Sequence, residues 1–181
     1  MPADQAGPAA VRASVAVWDP LVRILHWTLA AGFLGAFLVG SPRELHETLG
    51  WTAVGAAAAR VAWGFAGPQR ARFADFVPTP VGFLAHARAV LAGREARYIG
   101  HNPAGGAMVV ALLAVVATLG LTGWMMGLDA FWGAGWLEGL HEIVANLGFG
   151  LVVLHWLGVA WESLRHRENL AKAMITGRKR P

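Results

Sequence analysis

The sequence contains no cysteine among its 181 residues. This absence excludes disulfide bonds, iron–sulfur clusters, thiolate zinc sites and the C-x-x-C-H motif that attaches c-type heme. Charged residues are also scarce, at 14% of the chain, whereas soluble domains carry about 25%. Because a water-facing surface needs more charge than this, the composition disfavours a soluble globular domain.

Apolar residues, by contrast, are abundant. They make up 56% of the chain, and the mean hydropathy is +0.47. Nine tryptophans are present, and indole rings favour the lipid–water boundary. The net charge of +4 would suit nucleic acid, but nearly all Lys and Arg flank apolar segments, where they orient helices in a membrane. We therefore expect an integral membrane protein with the lipid membrane as a partner and no nucleic-acid partner.

Four apolar segments reach the roughly 20 residues that a membrane-spanning helix requires. They cover about residues 20–40, 44–65, 103–128 and 137–165. Asp19 before Pro20 and Asn102 before Pro103 are typical helix starts, with a polar cap followed by proline at the first helical position. The predicted fold class is all-α, an integral membrane four-helix bundle, with residues 18–168 forming one domain.

Three further segments lie outside these spans. Residues 1–17 lack the basic start and long apolar run of a signal peptide, and they are predicted to form a disordered cytoplasmic leader. Residues 169–181 form a basic cytoplasmic tail. The Arg-rich connection 67–100 contains residues 81–91, which have apolar side chains on one face. This pattern predicts a short amphipathic helix on the membrane surface, between the second and third spans.

The charge distribution predicts the orientation. Of the 15 Lys and Arg, all but Arg43 fall in the leader, the 67–100 connection, the tail or the span ends beside them. By the positive-inside rule, both termini and the 67–100 connection are cytoplasmic. The loops around residues 40–46 and 128–138 then face the opposite side, and they collect five acids: Glu44, Glu47, Asp129, Glu138 and Glu142.

Four of the seven histidines, His26, His46, His141 and His155, fall inside a span or at its end. Ionisable residues in a bilayer are costly and usually mark function. His141 and His155 are fourteen residues apart on one helix face, roughly 21 Å along the axis. Depth in the membrane therefore pairs His26 with His155 and His46 with His141.

Two histidines at matched depth on different helices are the ligand set of a bis-histidine heme iron, and two such pairs predict two hemes. Gly148, midway between His141 and His155, is expected to leave room for a flat group against the backbone. Packed polar contacts between helices are the alternative. A zinc site is disfavoured because no H-E-x-x-H motif is present. The other histidines, His86, His101 and His166, are expected to be solvated or interfacial.

Two arginines lie close to the proposed ligands in sequence. Arg60 is fourteen residues after His46, on the same helix face but at the cytoplasmic end. It is a candidate partner for the propionates of the inner heme, or a snorkelling charge at the membrane boundary. Arg23, one turn before His26, has the same two interpretations.

Several motifs resemble the bacterial cytochrome b561 family, which includes the b-type cytochrome subunits of nickel–iron hydrogenases. The similar segments cover most of residues 15–170: the W-D-P-L-V-R-I-L-H-W run 18–27, H-E-T-L-G at 46–50, R-V-A-W-G-F at 60–65, A-R-F-A-D-F at 71–76, G-H-N-P at 100–103, H-E at 141–142 and L-H-W at 154–156.

The resemblance implies a four-helix bundle in the bacterial inner membrane with two noncovalent b hemes. The family's ligand positions match His26, His46, His141 and His155, and its propionate contacts match Arg60 and Arg23 less closely. Family members pass electrons between the quinone pool and a partner redox protein, such as a periplasmic cytochrome c or a hydrogenase or dehydrogenase subunit. Quinone is thus an expected second cofactor.

Two other functions are considered. The first is superoxide:quinone oxidoreductase activity, known for some members of the family, which needs a basic outer surface to attract the superoxide anion. The five outer acids against Arg43 disfavour it and suit docking of a basic cytochrome c instead. The second is a nonredox structural subunit with packed histidines.

Overall fold

The structure is a computed structural model, and it describes residues 14–181. Most of the predicted leader lies outside the described residues. The described chain is helical apart from one pair of two-residue strands. Its elements are, in order, β1 (Val15–Ala16), α1 (Pro20–Leu38), α2 (Arg43–Ala66), α3 (Phe73–Phe76), α4 (Pro80–Leu91), α5 (Pro103–Met126), α6 (Gly135–Arg165), α7 (Leu170–Thr176) and β2 (Arg178–Lys179), with 3₁₀ turns at Gln69–Ala71 and Asp129–Phe131.

The starts of α1 and α5 confirm the predicted capping. The Asp19 carboxylate accepts hydrogen bonds from the backbone N–H of Leu21 and Val22, at 3.0 and 3.1 Å. The Asn102 side chain accepts from Gly105 N at 2.7 Å. Each cap satisfies amide groups that have no partner within the helix. These ends are therefore encoded locally in the sequence.

Three helices, α1, α5 and α6, are long and apolar enough to cross a membrane. Their outward side chains form an apolar surface suited to lipid. This surface includes Ile24, Leu121, Ile143, Leu147, Leu154 and Leu157, all more than half exposed. The second helix, α2, has 24 residues like α5, but its composition is less apolar because alanine, threonine and charged residues replace larger aliphatic ones.

Small residues bring the helices of the bundle together. A Cβ at Gly32 of α1 would lie 2.9 Å from the Leu49 carbonyl oxygen of α2, so the two backbones approach closely. A Cβ at Gly148 of α6 would lie 2.7 Å from Val115 and 3.0 Å from Phe33. The expectation that Gly148 leaves room for a flat group is therefore wrong: the space is filled by α5 and α1, which pack against it.

The chain ends fold together over one end of the bundle. β1 pairs antiparallel with β2, with Val15 opposite Lys179. Between α7 and β2, Gly177 adopts φ +77°, which glycine tolerates, and a Cβ there would meet the Trp18 carbonyl oxygen at 2.7 Å. We call β1, α7 and β2 the terminal cap. The predicted disorder of residues 1–17 does not hold for residues 14–17, because they pair with the tail.

Ion pairs hold the terminal cap to the connection that precedes α5. The buried Glu168 carboxylate lies 3.2 Å from Arg97 Nη2 and 3.9 Å from Lys179 Nζ. Lys179 Nζ also donates to the Tyr98 carbonyl oxygen at 3.0 Å. The pKa of Glu168 is lowered: burial raises it, but the Arg180 backbone N–H, Lys179 and Arg97 together outweigh burial. The basic tail is thus a folded element with internal charge partners.

The short helix predicted between the second and third spans is present as α4. Val81, Leu84 and Leu91 point outward, with Leu91 89% exposed. His86 was expected to be solvated, yet it is only 6% exposed and contacts the Tyr98 ring edge-on at 5.8 Å between centroids. The expectation failed because α4 packs on α5, which covers one of its faces.

Candidate functional site

The four span histidines form two pairs. The rings of His26 on α1 and His155 on α6 have centroids 6.2 Å apart, at an interplanar angle of 57°. The rings of His46 on α2 and His141 on α6 also have centroids 6.2 Å apart, at 62°. These are the two pairs that membrane depth predicted. We call them the inner pair and the outer pair.

The ring spacing suits one metal ion between the two rings of each pair. A metal–imidazole bond is about 2.0–2.1 Å, and the ring centre lies about 1.1 Å beyond the nitrogen, so two opposed ligands place their centroids about 6.2 Å apart. Within residues 14–181, no three side chains of the His, Asp or Glu type gather to hold a metal. A donor set of two histidines would suit a heme iron, which takes two protein ligands, better than a tetrahedral zinc site, which takes three or four.

His46 is oriented by the turn that joins α1 to α2. Its Nδ1 lies 2.9 Å from the Ala36 carbonyl oxygen and 3.2 Å from the Val39 carbonyl oxygen. Since a carbonyl oxygen only accepts hydrogen bonds, Nδ1 carries the proton and donates. The unprotonated Nε2 is then left as the ligand atom, an arrangement typical of metal-binding histidines.

His141 is oriented in the same way by a buried threonine. Thr122 Oγ1 lies 2.8 Å from His141 Nδ1, and the same hydroxyl donates to the Thr118 carbonyl oxygen at 2.9 Å. Because its single proton is directed to that carbonyl, the hydroxyl accepts from Nδ1–H. Both histidines of the outer pair therefore present Nε2 as a free donor atom.

A cavity of about 350 Å³ lies beside the outer pair. Its walls come from α1, α2, α5 and α6, and many of the residues around it are glycine. A Cβ built at Gly50 would meet nothing within 4 Å, and one at Gly123 would meet only His141, at 3.7 Å. Gly50 and Gly123 therefore leave space beside the outer pair, whereas Gly120 does not, because a Cβ there would lie 2.7 Å from Val54. The glycines that line the cavity are Gly50, Gly120, Gly123 and Gly127.

Arg60 lies at the inner end of α2, where α2 meets the start of α1. Its side chain is 7% exposed, and its Cζ is 5.5 and 5.6 Å from the ring centroids of Phe73 and Phe76. Within residues 14–181 its Nη1 is buried with no hydrogen-bond partner. Of the two predicted roles, a snorkelling boundary charge does not fit, since the guanidinium is buried against α3.

Arg23 lies at the same end of the bundle. Its Nη1 donates to the Ile175 carbonyl oxygen in the terminal cap. Its Nε is buried and has no partner in the described chain. One part of the side chain is thus structural, and the other remains available to a bound group.

His101 was expected to be solvated or interfacial, and it is neither. Its ring contacts Trp18 at 4.6 Å and Phe76 at 4.5 Å between centroids. Burial, followed by the positive charges of Arg60 and Lys179, lowers its pKa to about 3, so the ring is neutral at pH 7. The G-H-N-P motif at residues 100–103 is the only feature of the sequence that marks this histidine. His166, the third histidine of that group, lies 3.3 Å from Glu162.

Apolar spans, a helical bundle and two opposed histidine pairs define the class: a helical membrane protein with ligand sets suited to noncovalent heme. A family model described as prokaryotic cytochrome b561 matches residues 17–177, and the chain belongs to that family. Membership implies b-type heme binding and electron transfer in a membrane. Searches of curated proteins and of solved structures gave no match.

Proposed function

We propose that this chain holds two b-type hemes and transfers electrons across the bacterial inner membrane. His26 and His155 would ligate the inner heme, and His46 and His141 the outer heme. The observation that carries the proposal is the pair geometry: two pairs on separate helices, each with 6.2 Å between ring centroids. The hydrogen bonds that leave Nε2 free on both outer histidines support it independently.

The proposed orientation places the inner pair and the terminal cap on the cytoplasmic side. Charge supports it: Arg97, Arg165 and Lys179 gather at the end of the bundle that the cap covers, which fits the positive-inside rule. At the opposite end Arg43 is paired with Glu47. In this arrangement α2 is the fourth span, and Arg60, one of the charged residues that make it less apolar than the other three, is buried inside the bundle.

Each histidine pair has a defined task in this function. A bis-histidine heme b supplies a one-electron carrier whose iron has no open coordination position. Hydrogen bonds from Nδ1 would keep Nε2 of both outer histidines available as the ligand atom, and the helices would hold the two sites at separate depths. The four ligand histidines are half-buried.

The proposed partners are the quinone pool and a redox protein, namely a periplasmic cytochrome c or a hydrogenase or dehydrogenase subunit. The outer end carries the acids Glu44, Glu47, Asp129, Glu138 and Glu142. Such a surface attracts a basic protein and repels an anion. This supports docking of a basic cytochrome c over superoxide oxidation.

The test is a pyridine hemochrome assay on protein purified in detergent, combined with a reduced-minus-oxidised spectrum. Two b hemes per chain are expected. Folded protein that binds no heme, even when heme is supplied during expression, would refute the proposal. Stopped-flow mixing of the reduced protein with a basic cytochrome c, a soluble quinone or superoxide then distinguishes the partners. Oxidation by the cytochrome at rates that fall with salt is expected.

A further inference from the structure

Four nitrogen-bearing side chains at the inner end of the bundle have buried atoms with no hydrogen-bond partner in the described chain. One of them, His166 Nε2, lies 3.3 Å from the Glu162 carboxylate, and the other three have no such neighbour. They are Arg60 through Nη1, His101 through Nδ1 and Arg23 through Nε. Buried polar groups are nearly always hydrogen-bonded, and one that is not calls for an explanation. Two of these three, Arg60 and His101, lie close enough to interact electrostatically, and His101 is also close to both histidines of the inner pair.

Arg60 and His101 are linked through one aromatic ring. Phe76 lies 5.6 Å from Arg60 Cζ and 4.5 Å from the His101 ring. Its position is fixed by Gly106, because a Cβ there would lie 2.1 Å from the Phe76 carbonyl oxygen. Arg60 is also near enough to His101 to lower its pKa. The two side chains therefore border one aromatic pocket.

The chemistry of this pocket selects a carboxylate. A buried guanidinium needs a negative partner, because an unpaired charge away from water is very costly. The nearest protein acid, Asp19, already accepts from the α1 amides and from Trp63 Nε1 at 3.2 Å. A neutral imidazole adds one N–H donor to the guanidinium fork. A quinone, which is uncharged, would add no negative charge to that which Asp19 supplies to Arg60.

We propose that His101 acts with Arg60 as a clamp for a propionate carboxylate of the heme that the inner pair holds, an inference that rests on the proposed function. His101 is then a cofactor contact, although it lies outside the four spans and far from the ligands in sequence. Removing its donor leaves the propionate charge less compensated, which favours the more positively charged oxidised iron. The midpoint potential of the inner heme should therefore fall.

The experiment is a spectroelectrochemical titration of the full-length protein carrying both hemes. His101→Phe keeps the aromatic packing and removes the donor, whereas His101→Asn retains a nitrogen near the position of Nδ1. His86→Phe is the matched control, since His86 is also a buried histidine and contacts Tyr98. At the wild-type midpoint of the inner heme, His101→Phe is expected to lower the ratio of reduced to oxidised heme about threefold. This change corresponds to a fraction of the free energy of one charge-assisted hydrogen bond.

His101→Asn is expected to restore most of the ratio, and His86→Phe to leave it unchanged. Arg60→Gln should lower the potential of the same heme, so the clamp remains testable if His101→Phe gives too little protein. The shift should persist in His46→Ala, which lacks the outer heme.

Unchanged potentials in both His101→Phe and Arg60→Gln would overturn the clamp, as would equal shifts of both hemes. A raised KM for a soluble quinone with unchanged potentials would assign the pocket to quinone and overturn it too. If the wild-type protein binds two hemes, each of these outcomes overturns the clamp but not the proposed function. Wild-type protein that binds no heme would refute the proposed function itself.

Discussion

The hydroxyl of Thr122 lies 2.8 Å from His141 Nδ1 and fixes which nitrogen of that histidine faces the cavity. Thr122 is 3% exposed and sits on α5, whereas His141 is on α6. A contact between the two helices thus determines which ring nitrogen of a proposed metal ligand carries the proton. In metal sites, partners of this kind orient the ligand and raise its basicity.

Replacing Thr122 with valine should weaken the outer heme site specifically. Valine matches the shape of threonine but cannot accept from Nδ1–H, which leaves a buried donor unpaired at a cost of about 1–3 kcal/mol. Loss of such a partner typically lowers metal affinity about 10–100-fold. We expect one heme to be lost more readily on dilution or imidazole challenge, measured by absorbance.

Thr118→Val is the control for this experiment. Thr118 lies one turn earlier on α5, and its hydroxyl donates to the Ala114 carbonyl oxygen at 2.9 Å. It should retain both hemes. Equal retention by the two valine variants would contradict the role of the Thr122 hydroxyl.

The pairing of the histidines predicts a pattern among double variants. His46→Ala, His141→Ala and the double variant of these two should each lose the same single heme, because either substitution alone breaks the outer site. The cross-pair variant His46→Ala with His155→Ala should lose both hemes. Such non-additivity within a pair and additivity between pairs is the signature of two separate sites.

Hemochrome stoichiometry and the α-band spectrum measure this pattern. A double variant of His46 and His141 that loses more heme than either single variant would show that the two residues do not share a site. The reciprocal set at His26 and His155 tests the inner pair in the same way.

Local rules were sufficient for the starts of α1 and α5 and for the pairing of the histidines by depth. Asp19 and Asn102 cap their helices as predicted, because capping depends on residues within one turn. The depths of His26 and His155 follow from helix length alone. The end of α1 at Leu38 and the start of α6 at Gly135 differ from the predicted bounds by two residues, since helix ends depend on the loops that follow.

The long-range contacts of the terminal cap and of His101 were not predictable from the sequence. The pairing of Val15 with Lys179 joins segments at opposite ends of the chain, and two-residue strands carry no periodicity. The burial of His101 likewise depends on Trp18 and Phe76, which come from distant segments. A histidine in a polar connection looks solvated until the elements that cover it are known.

Gly106 should be intolerant of even a methyl group. Its Cβ would lie 2.1 Å from the Phe76 carbonyl oxygen, a backbone atom that moves only with α3. We expect Gly106→Ala to destabilise the protein by about 1–3 kcal/mol, the usual range for overpacking, and to loosen the ring that contacts Arg60. Thermal unfolding in detergent measures the first effect.

Gly55→Ala is the matched control on α2, because a Cβ there meets nothing within 4 Å. It should be neutral or stabilising by about 0.5–1 kcal/mol, since alanine is the better helix former. A Gly106→Ala protein as stable as Gly55→Ala would contradict the close packing of α3 on α5.

Glu168 should make the terminal cap sensitive to acid. Its pKa is lowered from 4.5, so the folded state binds the proton more weakly than the unfolded state does. The stability that it contributes is full above about pH 4.5 and is lost as the pH falls through the lower folded value. Amide exchange of β1 and β2, corrected for intrinsic rates, should therefore speed up at about pH 3.5 relative to about pH 6.

Glu168→Gln should open the cap at both pH values, because glutamine is neutral and lacks the charge that pairs with Arg97 and Lys179. Glu138→Gln makes the same change in charge at an exposed position on the opposite end of α6 and should leave exchange in the cap as in the wild type. If amide exchange in β1 and β2 depends on pH equally in the wild type and in Glu168→Gln, a group other than Glu168 causes the pH dependence of the cap. The buried carboxylate would then be a packing element, and the ion pairs with Arg97 and Lys179 would not stabilise the junction of the two chain ends.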